Sequence, residues 1–414
     1  ALQLTNATNA ITGTIQLNGG LLYLDGVGSA GTATIALGGD WLNNNNGGQM
    51  PELRFRTANA NANWTANGVR VLADVPYARI FGQSFDGSSL NVTRTNTIDS
   101  LTVDGTATAQ GTSLVFGNTS NANNANNYNL LVSGATTLGG SAPVAFRVER
   151  GGTNGQSGSG FVTLGGQVSG SAPIIKSGDG FLQFQGDNTG FSGTVTLQRG
   201  EIRGQSNNSN NFFGTGDWFL NYGTLRFRHN NVGTYFAAPG QDLVFGGAVT
   251  VVSDRNGGSN AANLTIGANN GSNTLRTVNA AQLRFVADSF GDDYYLEGKM
   301  VVRDSAVLYN DSTDVFHRDV LEGAGRLTKA GIWYYYFDNN AANAGWTGRF
   351  DIQQGSVRVN QDAATLGAAG ASVVVNPSSV LSLRSAANLG GASLEVRTTS
   401  ALNLTTLGIG TAAG

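Results

Sequence analysis

Three stretches of this 414-residue chain can be laid on one another. Ile11-Thr12-Gly13-Thr14-Ile15-Gln16-Leu17 aligns without a gap on Phe191-Ser192-Gly193-Thr194-Val195-Thr196-Leu197, at an offset of 180 (191 − 11). Trp346-Thr347-Gly348-Arg349-Phe350-Asp351-Ile352 aligns on the second stretch at an offset of 155 (346 − 191). Each copy opens on an apolar strand (Leu2-Gln3-Leu4, Leu182-Gln183-Phe184, Tyr335-Tyr336-Phe337) and ends in a Gly-turn and a new apolar pair, reaching Leu22, Ile202 and Val357. Repetition of this kind marks an architecture in which one unit cannot bury its apolar face alone and buries it against the next.

Apolar residues two apart lie on one face of a strand. Ile15/Leu17, Val195/Leu197 and Phe350/Ile352 are therefore predicted to point inward, with the Thr, Gln and Arg that alternate with them facing water. The glycines at 193, 200, 348 and 355 turn the chain so that the next short strand stacks on the last. No stretch has sustained helical periodicity. The expectation is an all-β chain: a parallel β-solenoid, or β-helix, with coils of about 20 to 25 residues. It is read as one elongated domain over 1–414, its copies clearest at 1–37, 175–230 and 323–385. Asn/Gly-rich segments between strands read as corners, where asparagines in register bond from coil to coil.

Composition agrees. Sixty glycines are about twice ordinary usage and 12% charged residues about half of it. With 40% hydrophobic residues and a net charge of −3, the chain does not have the composition of a disordered one. There is no cysteine, which excludes disulfides and thiolate metal sites. No apolar run approaches the roughly 20 residues of a membrane-spanning helix. The 24 Lys and Arg residues are scattered among 27 acids without a basic stripe, which argues against nucleic acid as a partner. The chain starts at Ala1 without a signal peptide and reads as a mature or excised segment.

The run Lys176-Ser177-Gly178-Asp179-Gly180-Phe181-Leu182-Gln183-Phe184-Gln185-Gly186-Asp187-Asn188-Thr189-Gly190-Phe191-Ser192-Gly193, continued by Val195, Leu197, Gly200 and Ile202, resembles the autotransporter-associated β-strand repeat of bacterial surface proteins. Gly325-Arg326-Leu327-Thr328-Lys329-Ala330-Gly331 opens another copy. The resemblance implies a right-handed parallel β-helix, exported and displayed at the bacterial cell surface or outside it as a stalk, adhesin or fibre. The sequence departs from the repeat in carrying aromatics at Trp333 to Tyr336 and no C-terminal translocating barrel.

No catalytic, cofactor or metal residue is expected. His229 and His317 stand alone in sequence and read as surface or rung-edge residues. The acidic run Asp288, Asp292, Asp293, Glu297, Asp304, Asp311, Asp314 and Asp319, with His317 and Arg318, is the best local candidate for a polysaccharide-cleaving centre. Turn chemistry accounts for it better. Trp333, Tyr335, Trp346, Tyr294 and Tyr295 are candidates for stacking on the sugar rings of a surface glycan. The two ends of the sequence complete one template, so Leu2 and Leu4 are expected to meet Leu402, Leu404, Leu407 and Ile409 of a next copy, head to tail. The leading expectation is thus a structural fibre whose partner is itself, and the alternative a glycan-binding adhesin.

Overall fold

The computed structural model describes residues 1–38, 50–57, 61–73, 75–84, 94–105, 111–117, 128–149, 160–206, 213–229, 234–236, 240–255, 264–267, 273–287, 292–339, 343–384, 386–397 and 408–409. Among them the elements are short strands, apart from one 3-10 turn at Ala386–Leu389. Each strand pairing described is parallel, with the partners one coil apart. The fold is a parallel β-solenoid. The chain divides into two compact units, Ala1–Gly216 and Asp217–Gly414.

In the first unit a coil visits three sheets in turn. Val144–Val148 lies on the first sheet, Phe161–Leu164 on the second and Val168–Gly170 on the third; Ile174–Ser177 then returns to the first, Ile174 opposite Val144. In the second unit Lys299–Val302, Ser305–Asn310 and Val315–His317 also lie on three sheets in turn, the third of them a different sheet from that of the first unit, and Leu321–Glu322 returns with Leu321 opposite Met300. The rise per coil is the ordinary strand spacing, about 4.8 Å.

Inward residues therefore form columns. Leu53 lies opposite Leu22 and Ile80 opposite Leu53, all fully buried. In the second unit Leu327, Phe350 and Val373 make a similar column. Burying such a side chain contributes about 1.5 to 3 kcal/mol, so the columns are the main apolar stabilisation. Val195, Leu197, Phe350 and Ile352 are buried as the period-two pattern predicts, whereas Ile15 and Leu17 in the first coil are half-buried.

Coil length varies more than expected. Leu2 to Leu22 is 20 residues (22 − 2) and Phe350 to Val373 is 23 (373 − 350), but Ile80 to Phe116 is 36 (116 − 80). The added length falls between strands, and the paired strands on either side keep their register.

Two copies of the template in the first unit do not start on the same face. The first runs from the third sheet (Thr14–Leu17) to the first sheet (Gly20–Asp25), and the second from the first sheet (Val195–Leu197) to the second (Glu201–Ser206). Any face will take the template, because each asks for the same thing: a short strand and a tight corner. The corner explains Gly193 and Gly348. A Cβ at Gly193 would come 2.4 Å from the carbonyl oxygen of Ala172, and one at Gly348 would come 2.1 Å from that of Gly325.

Candidate functional site

The expected head-to-tail surface is resolved at one side. Leu2 is 52% exposed, and Leu4, Ile11, Ile15 and Leu17 are half-buried, because the first coil has a neighbour on one side only. Leu402, Leu404 and Leu407 lie outside the described residues. Ile409 belongs to the short strand Gly408–Ile409, whose backbone pairs with Ser382 and Leu383.

The aromatic candidates divide by strand parity, and three of the five need correcting. Tyr294, Tyr335 and Trp346 are fully buried, so no sugar ring reaches them. The Tyr294 hydroxyl accepts from the Ser253 N–H (2.7 Å) and donates to the Val286 carbonyl (2.7 Å), bracing the interior between coils. Tyr335 packs edge-on to Phe337 and Phe350, and Trp346 fills the corner bridged to Gly323. Tyr295 and Trp333 are half-buried. Tyr295 faces out in a row the sequence reading missed: Tyr295, Phe316 and Tyr336 stand in register, with ring centroids 5.0 and 4.4 Å apart and planes within 24° and 6° of parallel. The Arg318 guanidinium sits 3.7 Å from the centre of the Tyr295 ring, and that of Arg358 4.1 Å from Tyr334. The ring faces are thus largely taken up by one another and by arginine, which braces the sheet and leaves little flat surface for a sugar.

The acidic run does not converge. Asp292 is buried, while Asp293 and Asp314 face out beside the aromatic row. Burial, with Asp314 and Asp292 nearby, pushes the Asp293 carboxyl up to about 6, and burial raises Asp314 as well. Asp311 pairs with Arg284 at 3.6 Å, and Glu297 with Arg318 at 3.1 Å. Asp288 lies outside the described residues. His317 corrects the surface reading: it is fully buried, its Nδ1 is 2.9 Å from the Tyr335 hydroxyl, and burial pushes it down to about 4. The side chain of His229 is outside what the structure describes. Among the described residues no three His, Asp or Glu side chains are grouped to hold a metal ion.

Two lysines escaped the sequence reading. Lys176 is fully buried; its ammonium donates to the carbonyls of Ser177 (2.8 Å), Gly178 (2.8 Å) and Arg199 (3.0 Å). Lys329, also fully buried, donates to those of Ala330 (3.0 Å), Gly331 (2.5 Å) and Gln354 (2.9 Å). In both cases two acceptors belong to the corner that follows the lysine and the third to the next coil, so one side chain ties two coils together. Burial pushes Lys176 down to about 7, opposed by Asp179, Glu149 and Glu201, and Lys329 down to about 8, opposed by Asp311. Asparagines at a fixed place in the template do related work. Asn188 Oδ1 accepts from the Val168 N–H and Asn343 Oδ1 from the Leu321 N–H, each at 2.7 Å and each from the preceding coil. The signal for all four was present, since Lys176 and Lys329 precede the opening strands of matching copies and Asn188 and Asn343 stand three before Phe191 and Trp346.

Compared with known proteins, the chain matches no family model, no curated protein and no solved structure. Among the described residues no helix is long and apolar enough to cross a membrane.

Proposed function

We propose that the chain is a structural segment of a bacterial extracellular fibre or stalk, in which β-solenoid coils wind right-handed and stack end to end. The observation that carries this reading is the parallel ladder, in which coil after coil is covered by the next in register. Leu2, Leu4, Ile11, Ile15 and Leu17 occupy the layer that later coils cover on both sides. A further coil laid on it, whether of the same polypeptide or of a second copy, would extend the parallel ladder and bury that layer; at about 25 cal/mol per Å² a few hundred Å² of apolar surface contributes several kcal/mol before the entropy of association. The interior favours a load-bearing role too, because Lys176, Lys329, Asn188 and Asn343 are polar side chains that join successive coils. Likeness to the autotransporter-associated repeat supports export and the right hand of the winding. The reading gives Asp293, Asp314 and His317 no catalytic role.

Replacing Leu2 and Leu4 with Asp puts charge into the proposed junction. Sedimentation velocity of the double variant should show shorter or single particles where the parent chain shows assemblies. Assemblies of unchanged length would remove the first coil from the junction.

A further inference from the structure

The template makes a glycine-floored corner in each copy, and in the third copy alone that corner is lined with arginine. Arg349 stands where the first two copies have Thr14 and Thr194, and Arg326, aligned through the buried lysines, stands where the second has Pro173. The fold accepts threonine and proline at these places, so it does not require the arginines. In the second unit they border an open groove of about 470 Å³ lined by Arg303, Asp304, Arg326, Arg349 and Ser372, with Gly325, Gly348 and Gly370 among the residues beneath.

The guanidinium groups are held in place. Arg326 and Arg349 are in register on adjacent coils, and the Nε of each donates to a different oxygen of Asp351, at 2.8 Å for Arg349. Asp351 is 1% exposed, whereas Arg326 and Arg349 are 53% and 37% exposed. The buried carboxylate thus fixes two guanidinium groups through their inner nitrogens. Arg303 lies one coil earlier, two residues before Ser305, the register partner of Arg326. It is exposed and has no ion pair or hydrogen bond among the described residues. Three guanidinium groups against the carboxylates of Asp304 and Asp351 leave the groove net positive on a chain of net charge −3.

We propose that this groove binds a linear acidic glycan, a polyuronate with one carboxylate per sugar ring, lying along the solenoid axis. Arginine is suited to carboxylate because its planar fork donates two parallel hydrogen bonds. The coils present these forks at about 4.8 Å intervals, the scale of one sugar ring along an extended chain. Double-stranded nucleic acid carries a phosphate every 3.4 Å along each strand, out of step with the coils. Single-stranded nucleic acid needs aromatic platforms, and no aromatic residue lines the groove. A single particle would hold the site as well as a fibre, so it stands whether or not the coils stack end to end.

Affinity electrophoresis of the 414-residue chain through gels containing polygalacturonate tests this. The parent should be retarded at low salt and released at high salt, and uncharged dextran should not retard it. Arg326→Gln with Arg349→Gln should weaken binding by about tenfold or more, the effect of losing charge-assisted hydrogen bonds. Arg303→Gln, which touches no buried carboxylate, should weaken it without changing the melting temperature. Absence of retardation, retardation unchanged by these variants, or equal retardation by duplex DNA would overturn the proposal.

Discussion

His317 shows how the solenoid interior treats a polar side chain. It lies between columns of apolar residues, 2.9 Å from the Tyr335 hydroxyl and stacked on Phe337 at 5.6 Å, and burial keeps it neutral down to about pH 4. A base whose folded value lies below its ordinary 6.5 takes up its proton first in the unfolded chain. Its contribution to stability is therefore whole above pH 6.5, falls as pH drops through that value, and stops falling below about 4. At about 1.4 kcal/mol per pH unit the window amounts to about 3 kcal/mol. Asp293 works the other way: raised to about 6, it gains stability as pH falls from there toward the ordinary carboxylate range. Comparison with a His317→Gln variant separates the two. Between pH 7 and pH 4.5 the parent should lose roughly 3 to 6 °C of melting temperature relative to the variant. A difference that stays constant with pH would mean that His317 is not buried neutral.

At the scale of the element, the strand pairs Val195/Leu197 and Phe350/Ile352 were legible because apolar and polar residues alternate there, so period two selects a face. In Tyr334-Tyr335-Tyr336-Phe337 each residue is aromatic and the pattern selects nothing; packing puts Tyr335 and Phe337 inside and leaves Tyr334 and Tyr336 out. The two lysines repeat in place, but their burial was hidden for another reason: a charge in a strand reads as water-facing unless the carbonyls that receive it are known, and one of those lies on the next coil. The starting face of each copy was hidden as well, since coil length varies at the corners and a linear offset does not count whole turns. What repetition did reveal is the corner glycine, and it yields a graded expectation. Gly348→Ala sets a Cβ 2.1 Å from the Gly325 carbonyl oxygen and should cost about 3 kcal/mol or more. Gly13→Ala, at the same place in the first copy, meets nothing within 4 Å but has φ +82°, and should cost about 1 kcal/mol. Urea unfolding of the two variants should rank them in that order, and equal losses would mean that coil contact does not set the glycine requirement.

At the scale of the whole molecule, a solenoid separates roles that a globular fold combines. Its inward columns and corner ties hold coil on coil, and its outer rows can change without cost to the ladder, as Arg349 in place of Thr14 or Thr194 illustrates. Fibre formation and glycan binding would use different surfaces: the first the open layer at Leu2 and Leu4, the second the arginine-lined corner. Cryo-electron microscopy of the purified protein tests the central claim most directly. The account predicts unbranched fibres whose layer line at about 4.8 Å lies along the fibre axis, with coils stacked continuously from one segment to the next. Discrete particles at all concentrations, or fibres whose 4.8 Å spacing runs across the axis, would contradict it.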